Sequence, residues 1–375
     1  MRKLEALLHG AIGVSCLSGY LMYNRRHLLH FQKDKIKSKS QAVSVIIPAR
    51  DEAQRIHRLL QSLTKQTVQA EVIVMDDDSQ DETAKIAQQF GAQVYRVPSN
   101  KKGEKWYGKS YACYQGVKYT TSDILIFMDA DVELLSHYAL EAIIQTYAEQ
   151  QYRGLLSVQP YHIVHKPYEQ MSALFNLMTI VGMNTFSSVA CKASQTLAFG
   201  PVTVMNQTDY TITQGHLNAQ AHIIEGFALG QAFHQHQLPV TRYEGQGYVG
   251  FRMYEEGPKS FIEGWTKHLA VGATETQSRI MMLIIIWMLG IVTSTIAIIT
   301  SLKVKSLSTR RLCVSYGLYT LQFIKLHRRV GRFSLMYLTV NPILFIVFIL
   351  IFINSFRHIH LTKQVKWKGR IYTIN

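Results

Sequence analysis

Residues 280–300, IMMLIIIWMLGIVTSTIAIIT, carry no charged side chain. A run of that length is enough for a helix to cross a bilayer, which excludes a wholly soluble chain. Residues 335–353, LMYLTVNPILFIVFILIFI, repeat the pattern with a kink predicted at Asn341-Pro342. Residues 4–23 are apolar apart from Glu5 and His9, between Arg2-Lys3 and Arg25-Arg26. A cleaved signal peptide competes for that segment, but no small-residue cleavage site precedes the basic run. Residues 312–324 are mixed in character and too short to span alone, which suggests a re-entrant stretch. Residues 171–190 contain Asn176 and Asn184 and read as an interfacial helix.

The 375 residues have a formal charge of +15, with 47% hydrophobic and only 17% charged residues. Such a basic excess suits nucleic acid, an anionic membrane or an acidic substrate. Its distribution decides. Arg25-Arg26-His27, Lys33, Lys35, Lys37, Lys39, Arg328-Arg329 and the tail from Arg357 to Arg370 all flank apolar segments. That is juxtamembrane placement against membrane lipids, and no aromatic-interleaved basic motif points to nucleic acid. The basic run after the first segment places the middle of the chain in the cytoplasm. With the C-terminal apolar segments the chain reads as a multi-pass protein of the cell membrane, and positive charge on nearly every C-terminal loop leaves the topology of those segments open. Cys16, Cys113, Cys191 and Cys313 lack the spacing of a disulfide frame or zinc site. The chain therefore divides into a membrane anchor with basic linker (1–41), a folded domain (42–270) and a C-terminal membrane region with basic tail (271–375).

The folded domain alternates strand and helix. Val43-Ser44-Val45-Ile46-Ile47, Val72-Ile73-Val74-Met75, Gln93 to Val97 and Ile124 to Met128 read as strands. Ile56, Leu59, Leu60 and Leu63 mark one helix face, Asp81 to Phe90 a second helix stopped by Gly91, and 110–119 a third. Ala139, Ile143, Ile144 and Tyr147 mark a fourth. This order predicts an α/β fold, a mostly parallel sheet with helices on both faces.

Ligands of such sheets bind beyond the carboxyl ends of the strands, and those ends are acidic here. Arg50-Asp51-Glu52 follows the first strand, Asp76-Asp77-Asp78 the second, and Asp129-Ala130-Asp131 the fourth. One acidic turn is ordinary helix-capping chemistry. Many converging carboxylates repel one another and are expected to hold a cation or a ligand's donors. Asp129 and Asp131 suit a hard ion, Mg²⁺ or Mn²⁺, on a diphosphate. Asp76 suits the N–H of a uracil ring. The basic loop Lys101 to Ser110 suits diphosphate charge, with Lys109 at its end. Gly103 to Ser110 matches a P-loop as a string, but no apolar strand runs into it.

Val45-Ile46-Ile47-Pro48-Ala49-Arg50-Asp51-Glu52, Val74-Met75-Asp76-Asp77-Asp78-Ser79-Gln80-Asp81-Glu82-Thr83 and Asp129-Ala130-Asp131 resemble family 2 glycosyltransferases in order and spacing. Further segments, among them Lys105 to Ser110, Leu155 to His162, Ile223 to Gly230, Phe251 to Tyr254 and Glu263 to Leu269, are similar to the branch of that family acting in staphyloxanthin-type carotenoid biosynthesis. The resemblance implies a cytoplasmic GT-A domain, a metal and UDP-glucose as donor. It also implies a C30 carotenoid acid as apolar acceptor, inverting transfer of one glucose to a glucosyl ester, and possible contact with other enzymes of that pathway. Carried over, Asp76 meets the uracil base, Asp129 the ribose and metal, and Asp131 the metal. Asp51, Glu52, Asp77 and Lys109 complete the nucleotide-sugar site, and Glu225 stands in the catalytic base position. Arg252, Lys267 and His268 are candidates for the acceptor carboxylate. The chain departs from the family at Gly226, where an Asp is usual, and at Trp265-Thr266-Lys267, where processive synthases carry Q-x-x-R-W. An acceptor that arrives ionised needs no base, so loss of an acid at 226 fits ester formation. Another membrane lipid as acceptor, such as diacylglycerol or a polyprenol, and a silent scaffold in a pigment-making complex are the competing readings.

Overall fold

The computed structural model describes residues 2–33, 41–99, 106, 108–190, 197–220, 225–304, 307–357, 364–367 and 370–373. The first half of the chain runs α1 (Arg2–Met22), β1 (Val43–Ala49), α2 (Ala53–Thr64), β2 (Glu71–Asp76), α3 (Thr83–Gln89), β3 (Gln93–Arg96) and α4 (Lys109–Gly116). It continues through β4 (Ile124–Met128), β5 (Val132–Leu134), α5 (Ala139–Glu149), β6 (Leu155–Gln159), β7 (Tyr161–His162) and α6 (Ser172–Gly182). Then follow β8 (Val202–Asn206), α7 (Gln207–Ile212), α8 (Glu225–Gln235), β9 (Val240–Glu244) and β10 (Val249–Phe251). The last part holds α9 (Pro258–Glu275), α10 (Ser278–Lys303), α11 (Thr309–Val330), α12 (Leu335–Thr339), α13 (Asn341–Arg357), β11 (Gln364–Trp367) and β12 (Arg370–Thr373). Two compact units result: His27–Tyr161 with Gln195–Arg252, and Met1–Arg26 with His162–Ser194 and Met253–Asn375. The linear partition at 42 and 270 differs from this grouping, which places α6 and α9 with the other apolar helices.

The first unit is built on a seven-stranded sheet of order β3-β2-β1-β4-β8-β6-β9. β1 is parallel to both β2 and β4, while β8 runs antiparallel between β4 and β6. The sheet is thus mostly parallel, as the alternation of β-branched runs and amphipathic helices predicts. Ile46, Ile73, Met75, Leu125, Phe127, Leu155 and Met205 from the strands bury against Ala112 and Cys113 of α4 and Leu229 and Phe233 of α8. Ile56 and Leu59 of α2 are fully buried, the i, i+3 face that anchors this helix. Gly91 has φ +79°, the left-handed turn that ends α3.

The second unit is mostly helical. α1 and α10 are long and apolar enough to cross a membrane, by length and composition. They meet through small residues: Ser15 Oγ donates to the Ile286 carbonyl at 2.9 Å and Ser18 Oγ to the Leu283 carbonyl at 2.7 Å. α11 is a continuous helix of 22 residues, longer than the short mixed stretch expected at 312–324. Its polar side chains have partners on neighbouring helices. Gln322 Nε2 donates to the Cys16 carbonyl at 2.6 Å, and the Tyr319 hydroxyl to the Trp287 carbonyl at 2.7 Å. Met282, Ile285, Leu289, Ile296 and Ile299 of α10 and Val314, Leu318 and Leu321 of α11 are exposed. The helix breaks between Thr339 and Asn341, at the expected kink.

The segment 171–190 differs from the interfacial helix expected there. Helix α6 reads SALFNLMTIVG, apolar nearly all round, and such a helix seats inside a bundle. Phe175 and Leu177 are fully buried, and Phe175 stacks on Trp265 with ring centroids 5.2 Å apart. The Asn176 amide, a polar group in this setting, donates to the Val330 carbonyl at 3.1 Å.

Candidate active site at one sheet edge

Parallel strands share an edge at their carboxyl ends, and helices returning between them start at that same edge. Asp129 follows β4, Lys109 opens α4 and Glu225 opens α8. Topology therefore draws together three residues separated by up to 116 positions in sequence. Lys109 Nζ lies 2.7 Å from Asp129 Oδ1, pairs with Glu225, and donates to the Gly200 carbonyl at 3.1 Å. Gly108, at φ +83°, turns the chain into α4 and sets Lys109 in its first turn. A cation there opposes the helix dipole, so the two carboxylates are what hold it.

The electrostatics follow from this trio. Burial disfavours the charged Lys109, but Asp129 and Glu225 outweigh it and hold the ammonium protonated well above its ordinary range. Burial raises Asp129 to about 7; Lys109 opposes the rise, while Asp131 and Glu225 add to it. Burial would raise Glu225 as well, yet the Lys109 charge prevails and keeps its carboxyl below the usual range. Glu225 is thus held ionised.

Asp131 is brought beside Asp129 by a tight turn, in which Val132 N donates to the Asp129 carbonyl at 3.1 Å. Arg252 N donates to the Asp131 carbonyl at 3.1 Å, extending the antiparallel pairing of β10 with β5. Arg252 therefore shares this edge. His268 lies on α9 in the helical unit, its ring 6.0 Å from that of Trp265. Lys267 is on the same helix, and its side chain lies outside the described residues.

The remaining acids are engaged by the chain itself. Asp76 Oδ1 accepts from Ser79 N at 3.0 Å, Asp51 Oδ1 from Gln80 N at 2.8 Å, and Asp81 Oδ2 from Ala53 N at 3.0 Å. Glu52 pairs with Arg55 at 3.0 Å, and Arg50 lies 3.9 Å from both the Asp51 and Asp77 carboxylates. Arg96 pairs with Asp78 and Lys85 with Glu82. The mutual repulsion expected of this acidic edge is therefore offset by protein cations and backbone donors. Among the described residues no three acidic, His or Cys groups cluster as a metal site. Two carboxylates still suit Mg²⁺ or Mn²⁺, which complete their shells with phosphate oxygens and water.

The segment before β8 is a part of this edge that the sequence does not reveal. Because β8 is antiparallel to β4, residues 197–201 arrive at the same edge, with Asp129 N donating to the Pro201 carbonyl at 2.9 Å. Buried Ser157 Oγ accepts from Phe199 N at 2.7 Å, and buried Arg242 donates to the Leu197 carbonyl at 3.0 Å. Phe199-Gly200-Pro201 carries a turn signal, but nothing local says that the turn lies beside Asp129. His216 sits nearby, its ring 4.5 Å from that of Phe127 and its Nδ1 3.2 Å from the Tyr210 hydroxyl.

Residues 44–198 match the model of glycosyl transferase family 2. The chain is 64% identical over 374 residues to a 4,4'-diaponeurosporenoate glycosyltransferase of Staphylococcus haemolyticus, with 100% of each chain covered. It is 48% identical to the enzyme of the same name from Staphylococcus aureus strain USA300, covering 100% of this chain and 99% of that one. Among solved structures, a mannosyltransferase from Pyrobaculum calidifontis in complex with GDP-Man and Mn²⁺ is 12% identical with a TM-score of 0.47, covering 90% of this chain and 97% of that one. Glucosyl-3-phosphoglycerate synthase from Mycobacterium tuberculosis with Mn²⁺, UDP-glucose and phosphoglyceric acid is 15% identical with a TM-score of 0.44, covering 68% and 88%. With relatives of 64% and 48% identity over its whole length, the chain belongs to glycosyl transferase family 2 and is a glycosyltransferase.

Proposed function

We propose that this enzyme transfers one glucose, with inversion, from UDP-glucose to the carboxylate of a C30 carotenoid acid, 4,4'-diaponeurosporenoate, forming a glucosyl ester. The observation that carries the reading is the 64% identity, over the whole chain, to a relative bearing that substrate in its name. In the reaction a carboxylate oxygen of the acceptor attacks the anomeric carbon, the bond from that carbon to the diphosphate oxygen breaks, and UDP leaves with the electron pair.

The site residues take roles that suit this step. Asp76 and Asp77, at the end of β2, with Asp51 and Glu52 after β1, border the nucleotide. Asp129 and Asp131 are the residues to hold Mg²⁺ or Mn²⁺, whose charge would offset the departing diphosphate. Lys109 adds a fixed cation beside Asp129. A carboxylic acid with a reference pKa near 4 is already ionised at neutral pH, so no proton has to be removed. Glu225, held ionised by Lys109, then orients groups at the edge. Arg252, and Lys267 and His268 on α9, are the proposed attractors of the acceptor carboxylate. An apolar acceptor stays in the bilayer, and the exposed apolar faces of α10 and α11 suit a multi-pass cell-membrane enzyme with its sheet unit in the cytoplasm.

The test supplies labelled UDP-glucose to the full-length enzyme in membranes, with the purified carotenoid acid or with diacylglycerol. An alkali-labile labelled carotenoid ester is the expected product. Label appearing in diacylglycerol alone would overturn the acceptor assignment.

A further inference from the structure

The residue after Glu225 is Gly226, and the residue beneath both is Gly200. A Cβ built on Gly226 would lie under 3.0 Å from the Ala198 carbonyl oxygen, 3.1 Å from the Ala198 carbonyl carbon and 3.2 Å from Gly200 N. All three neighbours are backbone, so a side chain there cannot be relieved by a rotamer change. A Cβ on Gly200 would lie 2.5 Å from Glu225 Oε1 and 3.4 Å from Lys109 Nζ. Neither glycine has the positive φ that would require glycine on conformational grounds. Close backbone approach is therefore the reason for Gly226, whereas a methyl group at Gly200 would push the ends of the Glu225 and Lys109 side chains out of their present places. The start of α8 lies directly on the 197–200 segment, which is also held by hydrogen bonds to Ser157 and from Arg242.

We propose that Gly200 and Gly226 act as a pair of positioning residues, whose missing side chains seat the Glu225 carboxylate on Lys109 and leave no room for an acid at position 226. The usual family acid is then absent for a steric reason as well as an electrostatic one. Any side chain at 226 lifts the first turn of α8 off the Ala198 carbonyl and takes Glu225 with it. Restoring Asp at 226 would move the catalytic edge before it could act as a base. A displacement of about 1 Å at such an edge costs on the order of 10²-fold in rate.

The inference rests on the proposed transfer reaction, and the experiment keeps the two apart by following UDP release as well as ester formation in the full-length membrane enzyme. Gly200→Ala, Gly226→Ala and Gly226→Asp are each expected to lower kcat by roughly 10²-fold with the KM for UDP-glucose nearly unchanged. Gly226→Asp should be no better than Gly226→Ala. The deciding measurement is Gly200→Ala in a Glu225→Ala background, where no side-chain oxygen is left for the new methyl group to displace. Activity equal to that of Glu225→Ala alone supports the proposal, whereas a full multiplicative loss overturns it. Activity of Gly226→Asp at or above wild type overturns it too, and this variant does not depend on the first cycle. Wild-type UDP release without any carotenoid ester would sink the acceptor assignment, while the same variants still read the positioning claim through UDP release.

Discussion

Lys109 Nζ lies 2.7 Å from Asp129 Oδ1 and pairs also with Glu225, so one ammonium joins the D-x-D turn to the start of α8. Two short sequence motifs thus operate as one electrostatic unit.

Removing that charge while keeping the side chain's length, with Lys109→Met, leaves the partly buried carboxylates of Asp129 and Glu225 without the cation they share. The expected loss in kcat is about 10²–10³-fold, the scale of losing one preorganised charge partner at a transition state. Asp131→Asn should lose a similar factor. Turnover measured across a Mg²⁺ or Mn²⁺ titration checks both, and wild-type turnover in Asp131→Asn at saturating metal would remove the D-x-D assignment.

Burial holds His216 down to about 3, against the pull of Glu225, and His162 is lowered to about 3 by the same cause. In the unfolded chain each returns to about 6.5. Their contribution to stability is complete above that value and is lost as pH falls toward 3, because the unfolded chain takes up protons first. The slope approaches about 1.4 kcal/mol per pH unit for each histidine below pH 6. Thermal inactivation midpoints from pH 7.5 to 5 should therefore fall, and His216→Leu should fall less steeply. Equal slopes in the two proteins would show that His216 does not set the acid limit.

Phe175 is fully buried among Trp265, Phe261 and Phe348. Phe175→Ala should cost about 3–5 kcal/mol by opening a cavity. The measurable outcome is a drop in folded yield that lowers donor and acceptor use together. A selective loss of acceptor use with full yield would return α6 to the interfacial role expected from its sequence.

Gly19 of α1 faces α10 and α11 so closely that a Cβ would lie 2.5 Å from Trp287 Cδ1 and from Gln322 Oε1. Gly19→Leu should separate these helices and lower the detergent melting temperature sharply. Gln322→Leu removes the bonds to Cys16 and Trp287 but keeps the volume, and interhelical hydrogen bonds in membranes are worth only about 0.6 kcal/mol on average. A larger shift for Gln322→Leu than for Gly19→Leu would mean that polar contacts, not packing, hold the bundle.

Local chemistry was enough for much of this protein. The β-branched runs ending at Ile47, Met75 and Met128 specify strands, and the face of Ile56 and Leu59 specifies its helix, because side-chain period follows directly from backbone geometry. The place of Asp129 and Asp131 just beyond β4 was legible as well, because the apolar run ending at Met128 fixes where that strand stops. The uncharged run 280–300 declared α10, since burying so many apolar side chains in sequence requires a membrane or a bundle.

Tertiary structure decided what periodicity cannot carry. That α6 is buried, and that α11 runs unbroken past Gln322, depends on partners contributed by distant helices. The antiparallel insertion of β8 brings Gly200 under Glu225, and no neighbouring residue in the sequence encodes that approach. Sequence determined which groups are charged or apolar and where the strands end. Only the folded sheet determined that Lys109, Asp129, Gly200 and Glu225 meet, because that depends on strand order and direction, which long-range contacts set.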